Sequence, residues 1–272
     1  MTSTVSRTNT TASSASGLTA TTGQVSRNSG NLVIWIDTKK AVADFLDKTI
    51  DPPDNPPSLY VDLEGVKLAR DGMISIMQLF VAPLKTTYLI NIYTMKSTAF
   101  TTIGLKSNRS LKDVLESKTT QKVVFDVRNH SDALFSHYGI RLRGVTDLQL
   151  MELAARTFGD RRFVNGLSRC IERDLGLGLI EKRDWTQRKE REKGGNHEVF
   201  NQRPLAQELK NYCVADVTFL PRLWALYNFK IAAAWRPRLR SATEARIRDS
   251  QSATYSPHSH EKARGPPTWE YY

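Results

Sequence analysis

Two carboxylates in the segment Leu59–Gly65 have a spacing that places them side by side on a β-strand. The segment is apolar, follows a Pro-rich turn and ends in a glycine, which is typical of a short strand. Because side chains alternate across a strand, Asp62 and Glu64 point to the same face. Two such charges about 4 Å apart repel by roughly 4 kcal/mol at an effective dielectric of about 20. A bound Mg²⁺ or Mn²⁺ would offset that cost, whereas the simpler interpretation is a solvated strand edge.

A second pair of side chains that could take part in catalysis lies in the C-terminal half of the chain. If this segment is helical, Tyr212 and Asp216 are one turn apart and share a face. A carboxylate with a phenol one turn away can hold a metal ion and orient a water that attacks a phosphate. Tyr212 taken alone is also compatible with an ordinary half-buried core tyrosine.

Composition favours an acidic partner inside the cell. The chain has 272 residues and a formal net charge of +11, which favours nucleic acid as a partner. Cys170 and Cys213 are too few for a disulfide framework or a zinc knuckle, so we expect a reducing compartment, either the nucleus or the cytoplasm. No apolar run approaches the roughly 20 residues that span a bilayer, and the N-terminal residues lack an apolar secretory segment. We therefore expect no membrane partner.

A polar segment precedes the first predicted element. Residues 1–30 are dominated by Ser, Thr, Asn, Gly and Ala and cannot bury enough apolar area to offset the cost of ordering. We predict that they form a disordered tail. A strand over Leu32–Ile36 and a helix over Lys39–Lys48 are expected to follow, with Asp37 or Thr38 as the helix cap.

The middle of the chain mixes strands and helices. Two strands, Met73–Phe80 and Thr86–Ile92, follow the acidic strand at hairpin spacing and predict a three-strand meander. The apolar run Val123–Phe125 is typical of a strand covered on both faces. Later helices are predicted to begin near Asn129, Asp147, Asn165, Pro204, Val214 and Ile231. Pro204 is expected in the first turn of its helix, Pro221 at a kink or restart, and Pro237 at a break in the last helix. This order predicts an α/β fold with a mixed central sheet flanked by helices, and a basic helix with a disordered tail over 231–272.

The two chemical motifs together resemble those of a known family. Val61-Asp62-Leu63-Glu64-Gly65 is similar to the D-x-E motif of the DEDD superfamily of 3′–5′ exonucleases. The segment from Tyr212 to Asp216 resembles the Y-x-x-x-D motif of its Tyr-containing, RNase D-like branch, and Arg203-Pro204-Leu205 resembles the usual lead-in to that helix. The similarity covers roughly residues 32–230 and looks closest to Egalitarian-like and fungal 3′–5′ exonuclease-domain proteins.

The resemblance implies a ribonuclease H-like fold and a metal-dependent hydrolase. Two divalent cations, Mg²⁺ or Mn²⁺, would serve hydrolysis of the terminal phosphodiester of RNA or single-stranded DNA. Asp62, Glu64 and Asp216 would be metal ligands, and Tyr212 would position the nucleophilic water. The predicted exonuclease domain covers residues 31–230. The alternative is a catalytically impaired module of the same fold that binds nucleic acid or a protein.

The middle motif departs from the family pattern. Counting back from Tyr138-Gly139, the family's acid is expected at His130, where related sequences usually read Asn-Asp-Ser-Asp. A neutral nitrogen there suits Mn²⁺ better than Mg²⁺, so we expect weakened binding of the second metal and reduced or Mn²⁺-biased catalysis. In an alternative register Asp132 is the ligand, although it lies about 200° around the helix from His130.

Three further residues are candidates for contact with nucleic acid. Arg128 and Asn129 lie where a substrate phosphate could pass, although Asn129 could instead cap the helix. Trp185 could stack on a base or be buried beneath the charged stretch 182–198 that contains it. That stretch is interpreted either as a solvated loop or helix or as a basic rim that touches a phosphate backbone.

Overall fold

The computed structural model describes most of the chain apart from its first residues and a charged segment before α8, the helix that begins at Gln207. Residues 1–24 and 187–196 lie outside the described residues, and so do the predictions that fall on them. The described residues are 25–28, 31–49, 53, 55–158, 160–179, 181–183, 185–186 and 197–270.

A seven-stranded mixed sheet forms the centre of the fold. The strands are β1 (Val25–Asn28), β2 (Asn31–Ile36), β3 (Leu59–Glu64), β4 (Ile76–Val81), β5 (Thr86–Ile90), β6 (Lys122–Val124) and β7 (Val145–Asp147). Their order is β1-β2-β5-β4-β3-β6-β7. The antiparallel pairs β3–β4 and β4–β5 confirm the predicted meander. The pairs β2–β5, β3–β6 and β6–β7 are parallel. Because β4 is antiparallel to both β3 and β5, these five strands run in the same direction, and their carboxyl ends lie at one edge of the sheet.

Ten α-helices whose bounds the structure describes cover the two faces. They are α1 (Lys39–Lys48), α2 (Ile92–Met95), α3 (Thr98–Thr101), α4 (Leu111–Glu116), α5 (Val127–Tyr138), α6 (Leu148–Ala154), α7 (Leu167–Asp174), α8 (Gln207–Thr218), α9 (Leu220–Lys230) and α10 (Trp235–Ser250). Short 3-10 segments are Ala82–Leu84, His197–Asn201, His260–Ala263 and Pro267–Trp269. None of the helices that the structure describes is long and apolar enough to cross a lipid bilayer.

Several helix boundaries differ from the sequence predictions for local reasons. Thr38 caps α1 as predicted, since its hydroxyl accepts the Ala41 N–H at 3.2 Å. Pro204 was predicted to lie in the first turn of its helix, but α8 begins at Gln207 and the proline precedes it. The predicted break near Pro237 is also wrong: α10 runs through that position because a proline in a helix's first turn removes no intrahelical hydrogen bond. By contrast, the chain does restart at Pro221, the second residue of α9.

The two faces of the sheet bury different helices. Leu59, Val61 and Leu63 of β3 pack with residues of α1, α4 and α5. Tyr60 points to the other face, where α6, α7, α9 and α10 supply the apolar residues. A third cluster on that second face includes Trp35 and is closed by α8. This packing sets α8 against the face of β3 from which Asp62 and Glu64 project.

The segments predicted to be disordered are in part ordered. Residues 25–28 form β1 and pair with β2, so the prediction of disorder to residue 30 is wrong for them. Residues 251–270 return across the domain, and the prediction of a disordered tail is wrong for these too. Trp269 is buried against Trp235, at 5.0 Å between ring centroids. Because α10 packs on α5, α6 and β7, the predicted domain end at residue 230 is not a boundary of the fold.

Candidate metal centre and nuclease site

Strand β3 carries the acid pair on the face that the sequence spacing predicts. Asp62 lies directly opposite Gln78 of β4, and Glu64 lies opposite Ile76. The alternate residues of β3 are buried in the core, whereas Asp62 and Glu64 are both partly exposed. Glu64 is the last residue of β3, and Asp62 lies two residues before it. Both carboxylates therefore lie at the carboxyl edge of the sheet, where parallel strands and their helices leave room for a site.

Helix α8 brings the third carboxylate to the same place. Cys213 and Val214 anchor the helix in the core, and Asp216 is 6% exposed. One carboxylate oxygen each from Asp62, Glu64 and Asp216 lies within 4.8 Å of the others. Residues far apart in the sequence therefore converge at one point, as predicted.

The donor set fits divalent cations that prefer oxygen. Carboxylate charges at 4.8 Å repel by roughly 3–4 kcal/mol for each pair at an effective dielectric of about 20. Bound Mg²⁺ or Mn²⁺ would turn this repulsion into attraction, and both ions take carboxylate ligands. The three acids thus have the chemistry and the spacing of a metal centre.

A cavity of about 360 Å³ opens beside these acids, and we call it the acidic cavity. Tyr212 lines it one helical turn before Asp216, as the helical spacing predicts, and its ring lies 6.0 Å from that of Phe200. Asp62, Glu64 and His130 line the same cavity. The volume is in the range of small-molecule sites, so the cavity is large enough for a nucleotide.

Helix α5 places His130, not Asp132, at the site. His130 Nε2 lies 3.1 Å from Asp62 Oδ1, and the ring's Nδ1 has no hydrogen-bond partner among the described residues. Asp132 points away and is fully buried, with its Oδ1 2.7 Å from Arg70 Nε and its Oδ2 2.7 Å from the Arg70 backbone nitrogen. The alternative register with Asp132 as ligand therefore conflicts with the structure, because two residues along a helix reverse the direction of a side chain.

The predicted nucleic-acid contacts Arg128 and Asn129 lie under the C-terminal segment. Arg128 is 8% exposed and makes a two-pronged ion pair with Asp126, at 2.6 and 2.9 Å. Asn129 Oδ1 accepts hydrogen bonds from Lys262 Nζ at 2.6 Å and from the Tyr255 hydroxyl at 2.8 Å. Arg128 Nε and Nη2 and Asn129 Oδ1 are thus engaged within the protein and do not face the acidic cavity, so the structure does not place these two residues in the candidate site.

The first residues of α5 are stabilised by hydrogen bonds to a carboxylate that is distant in the sequence. Asn129 does not cap the helix, which begins at Val127. Instead the Asp147 carboxylate accepts the backbone N–H groups of Asp126 and Val127, at 3.1 and 3.3 Å, and also caps α6 through Gln149 N–H at 3.0 Å. Asp147 in turn pairs with Arg246 of α10 at 2.7 Å. The sequence carries no local signal for this support of α5, because Asp147 lies 21 residues from Asp126 and Arg246 lies a further 99 residues along the chain.

Arginines also control the charge of Asp126. Burial alone raises the pKa of its carboxyl group, but the hydrogen bond and charge of Arg128 outweigh this effect. The charges of Arg246 and Lys262 act in the same direction and bring the pKa to about 2. Asp126 is therefore ionised and committed to this ion-pair network, although it also borders the acidic cavity.

Trp185 forms part of the cavity wall and is buried. It is 4% exposed, donates its Nε1–H to Glu172 at 3.2 Å and lies edge-on to Phe219 at 5.5 Å. The structure thus matches the burial alternative for this residue. Most of the charged stretch 182–198 lies outside the described residues, so the choice between a solvated loop and a basic rim stays a prediction.

A buried thiol underlies the site. Burial raises the pKa of Cys213 well above its ordinary value, and the nearby carboxylates of Glu64 and Asp216 act in the same direction. The thiol therefore stays neutral and serves as core beneath the acids rather than as a nucleophile.

Comparison with known proteins identifies the family. Residues 33–227 match the family model of the 3′–5′ exonuclease domain. The chain belongs to the 3′–5′ exonuclease family. The predicted membership of the 3′–5′ exonucleases is thereby confirmed. The predicted α/β fold is confirmed as well, because solved RNase D structures share it.

Individual relatives of this exonuclease domain differ in how much of each chain they share. The chain is 30% identical over 165 residues to the mouse piRNA biogenesis protein EXD1, covering 60% of this chain but only 27% of the mouse protein. Trypanosoma brucei RNase D in complex with GMP has a TM-score of 0.66 at 18% identity, over 87% of this chain and 70% of the other. Brucella melitensis NrnC with bound Mg²⁺ has a TM-score of 0.54 at 17% identity, over 79% and 92%. Both of these solved structures have the same fold as this chain.

Proposed function

We propose that this exonuclease-family protein removes nucleotides one at a time from the 3′ end of RNA or single-stranded DNA, with divalent cations as cofactors. The observation that supports the proposal is the convergence of Asp62, Glu64 and Asp216 within 4.8 Å beside an open cavity. The net charge of +11 favours a nucleic-acid substrate. An intracellular site of action, in the nucleus or the cytoplasm, stays a prediction from composition.

Each residue of the acidic cavity has a role in this proposal. Asp62, Glu64 and Asp216 hold two cations, Mg²⁺ or Mn²⁺, and the Mg²⁺ complex of the Brucella protein supports the first choice. When bound, the cations supply Lewis acidity at the phosphodiester and lower the pKa of a bound water. Tyr212 orients the attacking water by a hydrogen bond from its hydroxyl group, since it lies one turn from Asp216 on the same cavity wall. The cavity itself holds the terminal nucleotide.

End-labelled oligonucleotides test this activity and its direction. With Mg²⁺ or Mn²⁺, 5′-labelled single-stranded RNA or DNA is expected to give a ladder of shortened strands, and 3′-labelled substrate to release labelled mononucleotide at once. Asp62→Asn should abolish both, whereas Asp71→Asn, which changes an exposed carboxylate outside the cavity, should not. A folded wild-type protein without products in either metal, or an Asp62→Asn variant with full activity, would contradict the proposal.

A second candidate function is a catalytically impaired module of the same fold that binds nucleic acid or a protein. The observation that favours it is His130, whose Nε2 lies 3.1 Å from Asp62 Oδ1. The family resemblance predicts an acid at this position. An imidazole here leaves three clustered carboxylates for two divalent cations and occupies one oxygen of Asp62. Weaker binding of the second cation and a preference for Mn²⁺ would follow.

The variant His130→Asp separates the two candidates. If the histidine impairs the site, the variant should bind Mg²⁺ about 10-fold more tightly or better, and hydrolysis should rise with it. Metal affinity is measured by calorimetry and hydrolysis with the labelled strands. His137→Asp on the exposed side of α5 is the matched control and should change neither. Unchanged affinity and activity in His130→Asp would rule out the impaired-site interpretation.

A further inference from the structure

A second concave surface lies at the opposite edge of the sheet from the acidic cavity. It is a groove of about 900 Å³, which we call the basic groove, and it shares no lining residue with the cavity. Pro57, Gln121 and Gly144 line it just before β3, β6 and β7, whereas Glu64 and Asp126 border the cavity at or just after the carboxyl ends of β3 and β6. Because these strands are parallel, the two surfaces are separated by the length of a strand, roughly 20 Å.

The charge of the groove is strongly one-sided. A single carboxylate, Glu244, lines it together with six exposed cationic side chains. The six are Lys118, Arg141, Arg143, Arg236, Arg240 and Arg248. Within the part of the chain that the structure describes, Arg143, Arg240 and Arg248 make no ion pair with a carboxylate. This differs from the arginines near α6, where Arg156 and Arg173 both pair with Glu152. An anionic ligand would relieve the mutual repulsion of the groove's cations.

The floor of the groove combines apolar surface with one polar group that lacks a partner. Trp224, Leu239 and Ile247 supply the apolar part. Thr243 is 1% exposed, and its hydroxyl has no hydrogen-bond partner among the described residues. A buried hydroxyl in this state costs about 1–3 kcal/mol, so a ligand that reaches the floor gains a hydrogen bond there.

We propose that the basic groove binds the sugar-phosphate backbone of single-stranded nucleic acid, at a distance from the acidic cavity. The choice of nucleic acid among anionic ligands rests on the proposed function. Five of the six cations are arginines, whose guanidinium groups bind phosphate oxygens in pairs. Trp224, half-buried in the floor, offers an aromatic surface to a base. A long strand would contact both surfaces, whereas a short one would reach only one of them.

The test measures binding of single-stranded RNA to the full chain by fluorescence anisotropy with Ca²⁺ in place of Mg²⁺, and the strand is checked for cleavage after each titration. Ca²⁺ also takes carboxylate ligands, so the acidic cavity keeps cations that can accept a phosphate. The variant Arg143→Glu/Arg240→Glu is compared with wild type across a series of salt concentrations. For a strand of about 20 nucleotides, the affinity should fall about 10-fold or more, and the slope of log affinity against log salt should decrease by about 1.4 for two lost phosphate contacts. A strand of about 4 nucleotides that is held in the acidic cavity should bind the variant as it binds wild type.

A matched control has the same change of charge elsewhere. Lys85→Glu/Lys106→Glu alters two exposed lysines that line neither the groove nor the cavity, and it should leave the affinity and the salt slope close to wild type. If the glutamate variant fails to fold in a thermal melt, Arg143→Gln/Arg240→Gln takes its place with half the charge change.

The outcomes separate this inference from the proposed function. Equal affinity and equal salt slope in the groove variant and the control would overturn the groove, as would an equal loss for short and long strands. If wild type gives no ladder in Mg²⁺ or Mn²⁺ but its binding depends on Arg143 and Arg240, the nuclease proposal fails and the groove stands.

Discussion

Two clusters of carboxylates lie at the carboxyl edge of the sheet, and their charges are balanced in different ways. In the first, Asp126 and Asp147 alternate with guanidinium groups. Arg128 lies 2.6 Å from Asp126, and Arg246 lies 2.7 Å from Asp147 and 3.8 Å from Asp126. In the second, which lines the acidic cavity, the carboxylates of β3 and α8 approach one another within 4.8 Å.

The difference separates carboxylates that hold the fold from carboxylates that hold a ligand. Asp147 is fully buried, and a buried charge of this kind is tolerated only with a partner and full hydrogen bonding. Asp62 and Glu64 stay partly exposed at the mouth of a cavity, where cations from solution can reach them. Loss of an acid should therefore lower the stability of the protein in the first cluster and its activity in the second.

Removal of Arg246 should have the largest effect. Arg246→Ala leaves Asp147 buried without its ion-pair partner, and the free energy of unfolding should fall by about 3–5 kcal/mol. Chemical denaturation measures this loss. The exposed Arg248→Ala on the same helix is the control and should change stability by no more than about 0.5 kcal/mol. Equal losses in the two variants would show that the ion pair of Arg246 with Asp147 contributes no more to stability than an exposed arginine does.

Removal of a charge from the acidic cavity should affect activity and not stability. Asp216→Asn is expected to lower the hydrolysis rate by at least about 10²-fold, since even groups that only support a metal ligand contribute 10–100-fold. The free energy of unfolding should stay equal or rise, because one of three mutually repelling charges is gone. A loss of several kcal/mol in stability would instead place Asp216 with the acids that hold the fold.

Acid should weaken the arginine-paired cluster within a defined range. The pKa of Asp126 is about 2 in the folded protein and about 3.9 in an unfolded chain, so its ionised form stabilises the fold above about pH 4. That contribution, about 2 kcal/mol, is lost as the pH falls from about 4 to about 2. Denaturation midpoints across this range should fall less steeply in Asp126→Asn than in wild type. If Asp126→Asn follows the same curve as the exposed-site variant Asp71→Asn, this effect of Asp126 is absent.

The smallest expected effect comes from the segment that covers the first cluster. Tyr255→Phe removes the hydroxyl that donates to Asn129 at 2.8 Å, and stability should fall by about 1 kcal/mol. The control is Tyr93→Phe, whose ring packs under Arg203. If both variants have the same midpoint in denaturant, the hydrogen bond from Tyr255 contributes nothing measurable.

The acidic cavity was largely predictable from the sequence. The alternation of β3 sets Asp62 and Glu64 on one face, and the helical spacing sets Tyr212 and Asp216 on one face. Their convergence was expected only from the family resemblance, because no local pattern states which face of a strand a distant helix covers. The count back from Tyr138-Gly139 also placed His130 at the cavity correctly.

The support of α5 was not predictable because it depends on contacts between distant residues. Arg128 and Asn129 are polar residues at the start of a helix, and the sequence suggests contact with solvent or substrate. The structure instead covers them with Tyr255 and Lys262 from a segment whose composition indicates disorder. Such a segment is ordered by the partners it finds on the domain, and sequence composition describes only the isolated chain.

The return of residues 251–270 across the domain bears on how the protein is prepared in the laboratory. A gene fragment that stops at residue 227, where the family match ends, would omit α10 and Trp269. The apolar side chains of Leu223 and Tyr227 would then face water in the recombinant product. Expression of such a fragment should yield inclusion bodies, and soluble protein calls for a clone that extends through Trp269.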